Sequence, residues 1–349
     1  MKLGLNLGYW GGGNDADNIA LAQVADELGY ECMWVAESWG SDAVSVLAWI
    51  AAQTTRIGIG SAIMQIPARS PAMTAMTAAT LDTLSGGRFR LGLGLSGPQV
   101  SEGWHGVRFD KPLARQREYV DVVQKALSRQ KLSYAGEHFT LPLPDGPGKA
   151  LHLMIHPVRE HIPVYLASVG PKNLELAGEI ADGWLGIFPD VQLITEHIAH
   201  IASGRATVGK TLDGFDVAAT LPVAVGDDLE ALAAPIKSYV ALYVGGMGSR
   251  EQNFYNAQAR RMGFDAEAAH IQDLYLGRQQ AEAAEAVPFD LVDRTSLIGP
   301  PERIVERLQE FAKAGVTQLA LAPYAATLDE RKVLLRSVIE AADKAGILS

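Results

Sequence analysis

Short, nearly uninterrupted apolar runs alternate along this chain with segments whose apolar residues recur at helical spacing. The first run covers Leu3 to Trp10. A Gly/Asn/Asp turn follows, then a segment with Leu21, Val24, Ala25 and Leu28 on one face, Asp15 able to cap its start and Gly29 its end. Cys32 to Ala36 is the next run, followed by a helical Ala43 to Gln53; then come Ile57 to Met64 and a Pro71-led helix closed by Gly86-Gly87. Phe89 to Leu95, Val164 to Ala167, Gly183 to Phe188, Phe215 to Val225 and Thr317 to Ala322 continue the strands. Helices are expected over Ala114 to Ser128, from Pro171, over Val191 to Ala202, Pro301 to Lys313 and Leu328 to Ala345.

Strands apolar throughout, rather than alternating, are buried on both faces, as in a parallel sheet covered by its crossover helices. Eight such units with no Pro-, Ser- or charge-rich linker between halves predict a single α/β domain over residues 1–349, a (β/α)8 TIM barrel. Residues of about 129–161 and 226–295 do not fit the eight-fold rhythm and are expected to be insertions, which in a barrel commonly extend the loops around the active end.

Thirty basic against forty acidic residues leave a net charge of −10, and no basic tract with interleaved aromatics occurs, so nucleic acid is not expected as a partner. Cys32, the single cysteine, cannot form an internal disulfide and sits in a buried-strand context, which fits a reducing cytoplasm. No export signal and no stretch of about 18 apolar residues suggests a membrane.

In a barrel the chemistry gathers where strands end. Those positions are Gly8, Tyr9 and Trp10; Glu37, Ser38 and Trp39; Met64, Gln65 and Arg69; and Ser96, Gly97, Gln99 and Glu102. Ala167-Ser168-Val169-Gly170-Pro171-Lys172-Asn173 switches from strand to helix within a few residues, and exposed amides, the helix dipole, a serine and Lys172 suit a phosphate; the alternative is an ordinary turn with Ser168 as helix cap. Gly92, Gly94 and Gly97 either let a flat ring approach the backbone or pack the barrel interior, and their spacing is not a nicotinamide fingerprint. Glu37 and Glu102 are candidate proton carriers, with His105 a candidate partner. His152, His156 and His161 have no metal-motif spacing, and no nucleophile elbow or Walker loop occurs, so no metal is expected.

Pro67-Ala68-Arg69-Ser70-Pro71 through Thr80 to Arg88, Leu91 to Gln99, Glu102 to Gly106, and Ala167 to Lys172 with Leu176 to Trp184 together resemble the bacterial luciferase-like flavin and deazaflavin oxidoreductases. Ser96-Gly97-Pro98-Gln99 and Ser168 to Lys172 look most like the branch that uses coenzyme F420 and includes methylene-tetrahydromethanopterin reductases. The resemblance implies F420, with FMN and a monooxygenase reaction as the alternative, hydride transfer to or from a small organic substrate, and a homodimer. It implies a ring pocket of Asn6, Glu37, Ala62, Ile63, Met64, Ser96, Gly97 and Gln99, with Glu102 toward the substrate. It also implies a phosphate held by Ser168, Val169 and Gly170, Lys172 and Arg69 as further tail contacts, and a non-prolyl cis peptide at Ala62-Ile63 or its neighbour Ser61-Ala62. Relatives that oxidise alcohols or sugar phosphates often carry histidine after the strand-two acid; Ser38 stands there, which makes that dehydrogenation less expected.

Overall fold

The computed structural model describes residues 1–9 and 15–348. Eight parallel strands form the barrel: β1 (Lys2–Asn6), β2 (Cys32–Val35), β3 (Gly58–Ser61), β4 (Phe89–Gly94), β5 (Val164–Ala167), β6 (Gly183–Ile187), β7 (Asp216–Val225) and β8 (Gln318–Pro323). Each pairs with its predecessor up to β7, β7 pairs with β8, and β8 returns to β1 through Leu3 opposite Leu319 and Gly4 opposite Ala320. The sheet is therefore closed. Two short strands extend it: Met64–Gln65 pairs with Leu93 and Gly94 of β4, and Leu297–Gly299 with the end of β7.

The outer ring comprises α1 (Asp15–Leu28), α2 (Ala43–Gln53), α3 (Pro71–Leu84), α4 (Pro112–Leu127), α5 (Pro171–Ile180) and α6 (Val191–Thr207), completed by Pro301–Lys313 and Leu328–Lys344. Asp42, Ser70 and Asp190 cap α2, α3 and α6 through their side chains, and Pro71 and Pro171 occupy first-turn positions where a missing N–H costs nothing. No helix among the described residues is long and apolar enough to cross a membrane.

The lumen is filled by Cys32, Trp34, Tyr165, Leu185, Ala218 and Ala320; the Trp34 indole donates to Gln318 Oε1 at 2.7 Å and meets the Tyr165 ring edge-on at 5.2 Å. Burial pushes the Cys32 thiol up to about 11, so at neutral pH it is an inert core group. Gly92 packs this interior: a Cβ there would stand 1.8 Å from the Ser61 carbonyl oxygen, whose own hydroxyl bonds both backbone groups of Gly92.

The two irregular stretches behave differently. Residues 129–161 hold a small hairpin, Tyr134–Ala135 with Thr140–Leu141, and contribute nothing to the wall of the mouth described below. The stretch between β7 and Leu297 forms the helices Leu229–Ala241, Phe254–Arg261, Asp265–Leu276, Gln280–Glu285 and Phe289–Arg294, with a π-helical turn over Leu242–Gly246. These helices bury a second core against Phe188 and Ala224, and Arg294 ties them to the barrel by pairing with Asp190.

Candidate active site

The carboxyl ends of the strands open into a cavity of about 570 Å³, within the ordinary range for a small-molecule site. Asn6, Ala62, Ile63, Ser96, Gly97 and Gln99 all line it, as do Ser168, Val169, Gly170 and Lys172 at the start of α5. Asn6 is held by its neighbours: its Oδ1 accepts from Gly8 N at 2.8 Å, and its amide faces Thr220 Oγ1 at 3.4 Å. The Ala62–Ile63 peptide is cis, at the first of the two expected positions. Gly94, with Ile63 so close that a Cβ would fall 2.8 Å from it, and Gly97 do border the cavity, whereas Gly92 serves packing alone.

Met64 and Glu102 sit elsewhere, and Glu37 is in place but engaged. Met64 is fully buried in the core between the strands and the outer helices and does not line the cavity. Glu102 is exposed, outside the lining, and accepts from Phe109 N at 3.0 Å, tying down its own loop. Glu37 lines the cavity, but its carboxylate is committed: it accepts from Gln65 N at 2.8 Å, from Ala43 N at 3.1 Å and from both terminal nitrogens of Arg69. Four donors occupy this carboxylate and make it a brace between the β2 and β3 ends. Arg69 is correspondingly occupied here and not at the tail end. His105 bonds Gln65 Oε1 at 2.8 Å, extending the same chain. Of the aromatics at the strand ends, Tyr9 and Trp39 reach the cavity, while Trp10 and the Asp15 side chain lie outside the described residues.

At the far end, α5 starts at Gly170 without a side-chain cap, so Ser168 is not the helix cap. Its hydroxyl oxygen is buried without a partner, as are Asn173 Oδ1 and both ring nitrogens of His197. All three residues line the cavity. The Trp184 indole, which donates to the Ser168 carbonyl at 2.8 Å, meets the His197 ring edge-on at 5.4 Å. Burial, aided by the Arg261 and His200 charges and opposed by Asp190, pushes His197 down to about 4. Buried polar atoms normally have partners. A cluster of unpartnered ones around an uncapped helix N-terminus fits an anionic group. Lys172, largely exposed, pairs with Glu175 at 2.9 Å on the rim.

Sequence patterns left His197 unnoticed, although it occupies the inward stripe of α6 with Leu193, Ile194 and Ile201, where a polar residue is itself a signal. Tyr243, Tyr255 and Gln258 come from the second insertion, whose place over the mouth no local pattern announces.

The family model described as luciferase-like monooxygenase matches residues 9–318. The chain belongs to that family. It is 42% identical over 328 residues, covering 92% of this chain and 94% of its counterpart, to a Mycobacterium tuberculosis protein named as a coenzyme F420-dependent oxidoreductase. It is 29% identical, covering 85% and 86%, to the 5,10-methylenetetrahydromethanopterin reductase of Archaeoglobus fulgidus. The solved coenzyme F420-dependent tetrahydromethanopterin reductase of Methanopyrus kandleri superposes with a TM-score of 0.83 at 25% identity, covering 97% of this chain and 99% of that one.

Proposed function

We propose that this protein is an F420-dependent oxidoreductase acting on a small organic molecule. The observation that carries the reading is the polarity of one cavity: unpartnered Ser168, Asn173 and His197 at an uncapped helix start, continuous with a mouth floored by Ala62, Ile63, Ser96 and Gly97. A flat ring joined to an anionic tail has this division of character, and the similarity to proteins named for F420 supports the deazaflavin. When bound, F420 supplies a ring carbon that gives or accepts a hydride.

In this reading the chain positions and shields. Ser168, Val169 and Gly170 hold the tail phosphate at the start of α5, and Lys172 adds charge at the rim. Asn6, Ala62, Ile63, Ser96, Gly97 and Gln99 hold the ring. Glu37, locked to Arg69, keeps the β2 and β3 ends at fixed spacing. The chain acts as one luciferase-like barrel domain over residues 1–349, with insertions at about 129–161 and 226–295, and works as a cytoplasmic homodimer without a nucleic-acid partner, in keeping with its net charge of −10.

Titrating the purified protein with F420 and, separately, with FMN while following fluorescence tests the assignment. Saturable quenching by F420 with no FMN binding is expected. Tight FMN binding without F420 binding would replace the reading with that of a flavin monooxygenase.

A further inference from the structure

The part of the cavity lining that carries Tyr9 and Tyr243 has a chemistry that the cofactor reading does not use. Tyr9, 38% exposed and lining the cavity, shares a 2.8 Å hydroxyl–hydroxyl hydrogen bond with Tyr243. The rings of Tyr239 and Tyr255 stack edge-on against Tyr243 at 4.9 and 4.8 Å, fixing its direction. Trp39, Phe109 and Phe254, which line the same cavity, add apolar surface that the ring contacts do not use.

Among the described residues no unpaired charge lines this wall; Arg261, from the same insertion, turns to the Val169 carbonyl at the α5 end. Among ionisable side chains lining the cavity, Glu37 is neutralised by Arg69, while Lys172 and His197 belong to the α5 end. An anionic substrate seated here would lose its water without gaining a counter-charge, a cost that ordinarily decides against binding. Burial raises Tyr9, Tyr239 and Tyr243 above the ordinary phenol range, so all three stay protonated at neutral pH. They therefore offer donors, not bases. Two hydroxyls share one hydrogen between them, and the other is free to emerge at Tyr9, the more exposed of the pair.

We propose that this wall is the substrate subsite, that it takes a flat, uncharged molecule carrying a carbonyl or imine acceptor, and that the Tyr9–Tyr243 hydroxyl pair holds that acceptor by a hydrogen bond. Phosphorylated and carboxylated substrates are excluded for want of a counter-charge. The assignment rests on the cofactor reading only in leaving the α5 end to the cofactor tail.

The test is calorimetric titration of the protein, saturated with oxidised F420 so that nothing turns over, with 2-acetylnaphthalene and with 2-naphthoate, which pairs a neutral ketone against a carboxylate on the same ring. The ketone should bind and the naphthoate at least about tenfold more weakly, in line with an uncompensated charge. Tyr9→Phe, which keeps the ring, should weaken ketone binding about three- to tenfold, the size of one hydrogen bond. Tyr243→Phe should act in the same direction through the shared bond. Fluorescence titration with F420 reads the cofactor site separately: should F420 fail to bind, the cofactor reading falls, and the Tyr9→Phe effect on ketone binding to the unloaded protein still judges the subsite. Equal binding of naphthoate and ketone by the loaded protein, or an unchanged ketone affinity in a folded Tyr9→Phe, would overturn the proposal.

Discussion

His197→Phe should move stability and binding in opposite directions. The native imidazole is 2% exposed, has no partner on either nitrogen, and is held at about 4 against the ordinary 6.5. The unfolded chain therefore binds a proton between those values that the folded chain refuses. Stability is untouched above pH 6.5, declines as the pH falls below it, and levels off below about 4, for a total of roughly 3 kcal/mol. Phenylalanine fills the same space against Trp184 without an unpaired polar atom, so the unloaded variant should melt about 1–2 °C higher at pH 7 and lose less stability toward pH 5. Binding should suffer. A hydrogen bond to a charged phosphate is worth about 1.5–3 kcal/mol, which predicts F420 affinity weakened about ten- to a hundredfold. An anion seated beside His197 also raises its pKa, so the affinity of the native protein should exceed that of the variant by a growing factor as the pH drops from 8 to 5.5. Thermal melts together with fluorescence titrations at several pH values measure both effects. A lower melting temperature with unchanged F420 affinity at every pH would reduce His197 to a core residue and refute the reasoning.

Breaking the Glu37–Arg69 brace should be costly: Glu37→Ala strands a largely buried guanidinium and should lower stability by about 3–5 kcal/mol in denaturant unfolding. Arg69→Met should cost a comparable amount, and the double variant less than the sum of the two. Glu102→Gln should leave turnover within about twofold, since that side chain lies outside the cavity lining and a glutamine oxygen can still accept from Phe109 N; a large fall in kcat would restore it as a proton carrier. Gly92→Ala should yield little folded protein, because its Cβ would lie 1.8 Å from the Ser61 oxygen; a soluble variant with native circular dichroism and melting temperature would contradict the close packing.

Strand positions were legible because parallel barrel strands are apolar on both faces: Val164–Ala167 is read to the residue, and Asp216–Val225 and Gln318–Pro323 to within one. The Ile57 to Met64 run has the pattern of one strand, whereas the structure breaks it after Ser61 and pairs Met64–Gln65 with β4 instead. That break sends Met64 into the core. The helix start at Gly170 was likewise visible, since strand, glycine and proline follow one another there. Commitments between distant side chains were not visible. Nothing local in Glu37-Ser38-Trp39 signals that Arg69, Gln65 and Ala43 converge on one carboxylate, or that Glu102 turns back to its own loop. The second insertion was recognised only as a departure from the rhythm, because its helices pack on one another and on the β6–β7 ends through contacts that no periodicity encodes.

The most direct measurement is a crystal structure of the protein loaded with F420. The ring should lie against Ala62–Ile63 and Ser96–Gly97, and the phosphate should rest at Ser168, Val169 and Gly170, with Asn173 or His197 gaining the partner each lacks. Density for F420 outside the barrel mouth, or a phosphate away from the start of α5 with His197 still unpartnered, would contradict the assignment of this cavity as a deazaflavin site.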